Sequence, residues 1–536
     1  MRRPLLLVAL PVLVCLQMQM PVASGAIPGP SVIVVGIPGL RWSDVNVRDT
    51  PSLARLAANS TVGVLSVRTA APVDCPADGW LTLGAGNRVR SAGRHVGRCS
   101  ATFPTPSSLP EQLRANAGRR EGAIPGLLAD TLRAQRRCVH GSGPGARLGS
   151  AFEDGTEQPP DTAGSVRPLG SPPPAGSAGG TSDCDVVLVQ GPAVGGAARA
   201  SGAAAADSLV GRLDGARPPG ATLLVVGLSE APGDKGTHLH VAIASGSRFG
   251  PGLLISASTR RAPYVQLVDV APTVLSLVGI ATPNAMIGQP WRTTQGRLSI
   301  AALRDEDSKS DGQRKVTVPF FVVLVGVQLL AGGIALALRR WRLVEVVALA
   351  GTTAVGASYL ANLVPWWRAT SPLPAMLAVT AAATFVLTGI ALLGKGLLAR
   401  AGLACGLTAA VLAVDVITGA HLQMSSVAGY SPVVAGRFAG IGNVAFGVLA
   451  AAVLLAAAST GSATVAALTA LVVVVDGAPM WGSDVGGVLA LVPAYALLVL
   501  LLAGRAVNVA RLAVAGLVGA LVVTAFGVAD HARPAD

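Results

Sequence analysis

Glu230, His238 and His240 bring a carboxylate and two imidazoles together in one short stretch. Those are donor types that hold a transition metal. The same residues also read as ordinary surface and strand positions. Upstream, Asp74-Cys75-Pro76-Ala77-Asp78-Gly79-Trp80 sets a thiol among carboxylates, which reads as a nucleophile region or as half of a disulfide. A separate set, Asp415, Arg437, Asn443, Asp476 and Asp484, lies in or beside strongly apolar stretches. Ionisable groups at membrane depth are expensive unless paired or used, so this set marks a candidate membrane site. The competing reading is that these charges end helices at the interface, where charge is cheap. His421 and Tyr430 share the Gly-broken connection HLQMSSVAGYSPVVAGRFAGIGN with Arg437. If that connection dips into the membrane, its irregular backbone needs protein cover or a watery cavity.

The elements that must position the second set are membrane helices. Val316–Leu338 carries no charge and exceeds the ~20 residues a helix needs to cross a bilayer. About eight spans are expected, near 317–338, 344–363, 372–393, 400–419, 441–458, 463–476, 485–503 and 509–528, in a membrane domain over 316–530 with a short tail at 531–536. Arg339, Arg340, Arg342, Lys395, Arg400, Arg505 and Arg511 then fall in loops on one side. Clustered basic residues stay in the cytoplasm, so that side is inside. Before the tail, Arg368 and Arg437 are the basic residues left in outer loops, where Trp366, Trp367 and Trp481 read as interfacial anchors. The N-terminal half is therefore expected outside, joined by a charged linker at 301–315.

That half has exported-protein features. Residues 1–26 have signal-peptide form, with Arg2 and Arg3, an apolar run from Leu5 to Leu16, and small residues at 23–26. Cys75, Cys99, Cys138 and Cys184 are an even set, read as two disulfides, with nearest-neighbour pairing favoured. Cys405 falls in a span and reads as a small apolar residue. Short β-branched runs at 31–35, 185–189, 222–226, 240–244 and 253–256 read as buried strands. Helices are expected at Pro51–Ala58, capped by Thr50, and at Pro272–Val278. Strands alternating with helices predict an α/β domain over 27–300, with a mixed or parallel sheet between helices, followed by an all-α polytopic domain. Residues 141–183, rich in Gly, Pro and Ser, read as a disordered insert. Of 536 residues 51% are apolar, and the net charge of +13 is dispersed or loop-borne. No basic run with interleaved aromatics occurs, so no nucleic acid is implied.

The order of motifs resembles the alkaline phosphatase-like superfamily. It is carried by Gly39-Leu40-Arg41 beyond the first strand, Thr50-Pro51-Ser52-Leu53-Ala54-Arg55-Leu56-Ala57, and Leu81-Thr82-Leu83-Gly84-Ala85-Gly86. The most specific piece is Leu267-Val268-Asp269-Val270-Ala271-Pro272-Thr273-Val274-Leu275. The resemblance implies a metal-dependent phosphoryl or sulfuryl hydrolase with Asp and His ligands around a Thr, Ser or formylglycine nucleophile. This chain departs from that set. The first strand ends in Gly36-Ile37 where a ligand Asp belongs, and Val226-Gly227-Leu228-Ser229-Glu230 stands where an Asp-His-Gly is usual. Pro76 follows Cys75 directly and Gly79 lies four on, so the sulfatase pattern is missing. The segment from Gly429 to Asn443 further resembles a signature of actinobacterial-type envelope membrane proteins carrying such a domain.

These features predict a membrane protein of the bacterial cell envelope with a non-catalytic, phosphatase-like exported domain and no cofactor. Its partners would be the membrane, an anionic envelope glycan or lipid-linked substrate, or an envelope protein. The alternatives are a metal-dependent phosphoryl hydrolase or transferase on a lipid-linked substrate, and a transporter or flippase of an anionic lipid-linked substrate.

Overall fold

The computed structural model describes residues 31–92, 99, 102–158, 184–234, 236–458 and 462–531. The leader expected at 1–26 lies outside them, as does most of the tail. Among the described residues the N-terminal half has nine strands: β1 (Val32–Gly36), β2 (Thr61–Ser66), β3 (Val139–Ser142), β4 (Val186–Gln190), β5 (Thr222–Val226), β6 (Leu239–Ser245), β7 (Gly252–Ser256), β8 (Tyr264–Gln266) and β9 (Trp291–Thr294). They form one sheet in the order β3-β4-β1-β5-β6-β2-β7-β9, with β8 beside β2. β3, β4, β1 and β5 run parallel, while β6 is antiparallel to β5 and β2, and β9 to β7. The sheet is therefore mixed.

The helices of this half are α1 (Pro51–Ala58), α2 (Pro76–Ala85), α3 (Leu109–Ala117), α4 (Leu127–Ala134), α5 (Pro144–Ser150), α6 (Arg199–Ala216) and α7 (Val270–Leu277). Side chains alternate across a strand. Val32 and Val34 therefore pack with Trp80, Leu128 and Val274 on one face, and Ile33 and Val35 with Leu53 and Val210 on the other. Burial on both faces explains why these strands read as continuous apolar runs.

Local details differ from the sequence reading. Thr50 does not cap α1. Its hydroxyl accepts from the Asn46 N–H at 2.8 Å, while the α1 N–H of Leu53 donates to Asp207 of α6 at 2.7 Å. Residues 141–150 are not disordered but form the end of β3 and all of α5, whose Ala146 and Leu148 are buried. Their glycines permit close packing rather than a loop. Of the remainder, residues 159–183 lie outside the described set. The disulfides are Cys75–Cys99 and Cys138–Cys184, with Cα atoms 5.3 and 5.0 Å apart.

The C-terminal half is helical: α8 (Ile300–Ala337), α9 (Trp341–Leu360), α10 (Pro372–Ala391), α11 (Leu397–Ile417), α12 (Asn443–Ala458), α13 (Ser462–Gly477), α14 (Val485–Leu502) and α15 (Val509–His531). Six are long and apolar enough to cross a membrane; α12 and α13 are shorter. The expected linker at 301–315 is instead the first turns of α8, which spans 38 residues. At 1.5 Å per residue such a helix is about 57 Å long, well beyond the ~30 Å of bilayer hydrocarbon. Its charged N-terminal part packs on the sheet domain, where Leu303 joins the core.

Candidate functional site

The C-terminal end of β1 is where the resemblance implies a metal ligand, and there the chain is filled. Trp80 of α2 is fully buried. A Cβ on Gly36 would meet its ring at 2.7 Å, and one on Gly145 of α5 at 2.3 Å. Glycine at both positions is what lets the indole lie against the strand end. An aspartate at residue 36 has no room.

Glu230, just past β5, is equally committed. One carboxylate oxygen accepts from the His238 N–H at 2.6 Å and lies 3.2 Å from His240 Nε2. The other accepts from Arg41 at 3.1 Å. Arg41 also donates to Asp234 at 2.6 Å, and Asp234 is joined through Arg199 to Asp44. Burial pushes the Glu230 carboxyl up, but His240, Arg41 and His238 outweigh it and hold the group down at about 2. The ring of His238 points elsewhere, to Asp307 of α8 at 3.2 Å. So Glu230 and His240 come together with an arginine as a buried ion-pair hub, and His238 joins only through its backbone. Among the described residues no group of three or more His, Cys, Asp or Glu side chains is placed to hold a metal. The donor set does not fit the metal centre the resemblance implies.

The join between the halves is built from residues with no local sequence signature. Asp307 accepts the Leu239 N–H at 2.8 Å, and Tyr264 donates to Glu306 at 2.5 Å. Burial first, then Glu306, raises the Tyr264 hydroxyl well above its usual range. Arg261 donates to the carbonyls of Gly419, Ala420 and Phe438. Arg88 reaches the Ala435 carbonyl at 2.6 Å. Met424, Ala435 and Phe438 enter the core of the sheet domain, while Ala428 and Ile441 pack among the helices. The 418–442 connection is thus a plug packed between the sheet domain and the helices, with His421, Val434 and Gly436 among the residues left exposed.

The membrane candidates divide by role. Asp415 accepts from the backbone of Leu422 and Gln423 and from the Gln423 side chain, at 2.7 to 3.2 Å, and so folds the plug's first turn. Asp484 is the N-cap of α14, accepting from the Gly487 N–H at 3.1 Å. Asp476 is buried at the end of α13, and neither carboxylate oxygen has a hydrogen-bond partner among the described residues. Arg437 and Asn443 line a cavity of about 620 Å³ with Gln313, Thr317, Tyr430 and Ser431. Arg368 is accounted for by a two-bond pair with Asp305 at 2.8 and 2.9 Å. Trp366 is not an interfacial anchor: it is buried, with its ring N–H on Asn362 at 3.1 Å.

The chain matches no known protein-family model and no curated protein.

Proposed function

We propose that this is an integral membrane protein of a bacterial cell envelope. Its sheet domain, phosphatase-like but without catalysis, lies outside and acts by binding an anionic envelope ligand or a partner protein. Six apolar helices support the membrane placement. The disulfides favour an oxidising compartment for the sheet domain. The basic loops between α8 and α9, α10 and α11, and α14 and α15 lie at the helix ends away from the sheet domain, which supports its placement outside. The loss of catalysis rests on one observation, the Trp80 ring packed against Gly36 where a metal ligand is implied.

The test uses the full chain purified in detergent, with metal content measured by mass spectrometry and turnover measured on bis(p-nitrophenyl) phosphate. Folded protein without stoichiometric metal or turnover is expected. Bound zinc, manganese or calcium, with turnover lost in Glu230→Gln, would restore the hydrolase alternative. The transporter reading is kept by one feature, the Arg437 cavity at the membrane end of the plug.

A further inference from the structure

We infer that the cavity between α8, α12 and the plug holds the phosphate of an anionic lipid. Arg437 sets the charge. Arg41, Arg88, Arg199, Arg261 and Arg368 are all engaged by carboxylates or carbonyls at close range. Arg437 makes no ion pair within 4.0 Å among the described residues, and its hydrogen bond to the Gly482 carbonyl is long, at 3.4 Å. Asp476 is within its electrostatic reach but does not pair with it. A half-buried guanidinium left so little occupied is matched to a phosphate, which it can grip with two parallel bonds. Gly442, Asn443 and Val444 line the same cavity and open α12, a 16-residue helix whose positive end adds to the attraction for an anion.

The lipid origin follows from the other lining residues. Val434 and Val444 are 61% and 57% exposed, apolar and beside the cavity, where acyl chains would meet them. The volume of about 620 Å³ lies in the range of small-ligand pockets, roughly 300–1,000 Å³. The inference rests on the membrane placement proposed above and is independent of the loss of catalysis.

The test reconstitutes the full chain in dioleoylphosphatidylcholine nanodiscs and titrates dioleoylphosphatidylglycerol, counting retained lipid by native mass spectrometry. Protein left in the aqueous phase would defeat the membrane reading itself. With inserted protein, preferential retention of phosphatidylglycerol is expected, about tenfold weaker in Arg437→Gln and only partly restored in Arg437→Lys, which keeps the charge but loses the two-bond grip. Arg368→Gln should behave as the wild type. Equal retention of the two lipids, or no effect of Arg437→Gln, overturns the site. Competition by free glycerol phosphate at equal concentration overturns its lipid origin. Should Arg437→Gln fail to give monodisperse protein, Asn443→Asp at an exposed position serves instead. Weakened retention then supports the site, and unchanged retention overturns it.

Discussion

Glu230 shows how a residue with catalytic credentials can be consumed by structure. Both of its oxygens are held, by His240 and the His238 backbone on one side and by Arg41 on the other. Removing one partner of a buried ion pair strands the other, so Glu230→Gln should lower stability by about 3 kcal/mol in thermal melts of the detergent-solubilised protein. The pH dependence has a definite sign. A carboxyl held at about 2 when folded, against 4.5 as its ordinary value, contributes stability above 4.5 that is lost as pH falls towards 2. Asp269 acts in the opposite sense. Burial raises it to about 6 from 3.8, against the pull of the Gln289 and Gln266 N–H groups and the Ser256 and Ser258 hydroxyls. Between about 4 and 6 the folded state then holds the extra proton, and stability falls as pH rises. Melting against pH should therefore show an acid limb below 4.5 that Glu230→Gln flattens, while the decline between 4 and 6 remains. At residue scale the sequence was legible for donors and illegible for their commitments. Arg41 was visible as part of a motif, but its reach to Glu230 depends on a loop crossing that no spacing reveals. Trp80 was equally visible, yet its role depends on Gly36 of β1 and on Gly145 and Gly149 of α5, two elements far apart in the chain that meet at its ring. Placing at residue 36 the ligand that the resemblance implies, with Gly36→Asp, should destabilise the domain and yield no turnover, because the new side chain meets the indole.

Elements were legible where burial was two-sided and obscure where glycine did the packing. β1, β4 and β5 announce themselves as β-branched runs. α5 carries Pro144, Gly145 and Gly149 and looks like a loop, although Gly145 and Gly149 are needed for the approach of Trp80. Likewise Gly63 interrupts β2 because a Cβ there would meet the Pro263 carbonyl at 2.6 Å. The charged start of α8 resembles a solvated linker, yet Asp305, Glu306 and Asp307 each hold a different partner, on Arg368, Tyr264 and His238. Such pairs have no local signature, since their partners lie in other elements. Two predictions belong at this scale. Asp207→Ala removes the acceptor that α6 lends to α1, and a lost cap of this kind should lower stability by about 1 kcal/mol in a denaturant melt. Arg261→Ala releases the carbonyls of the 418–442 plug. Hydrogen exchange should quicken in that segment while β1, β4 and β5 keep their protection; an unchanged plug would show that Arg261 does not anchor it.

At the scale of the molecule, the sheet domain and helical bundle share a core through the plug and the long α8, so their relative placement is fixed by packing as well as by covalent connection. That makes orientation in the membrane a single question: locating one loop locates the whole protein. Arg340 lies in the basic turn between α8 and α9, and Val364 lies at the opposite end of α9, near the plug. The disulfide-bonded cysteines do not react with maleimide, and Cys405 is buried among helices. Cys15 lies outside the described residues, so single Arg340→Cys and Val364→Cys variants are made together with Cys15→Ser and read on that silent background. With the basic turns inside, a membrane-impermeant maleimide applied to intact cells should label Val364→Cys at once and Arg340→Cys only after lysis. The reverse pattern would put the sheet domain in the cytoplasm. It would leave the disulfides without an oxidising compartment and move the Arg437 cavity to the inner leaflet. Labelling of both sites in intact cells would mean that α9 does not cross the membrane, and that its apolar length serves only the packing of the bundle.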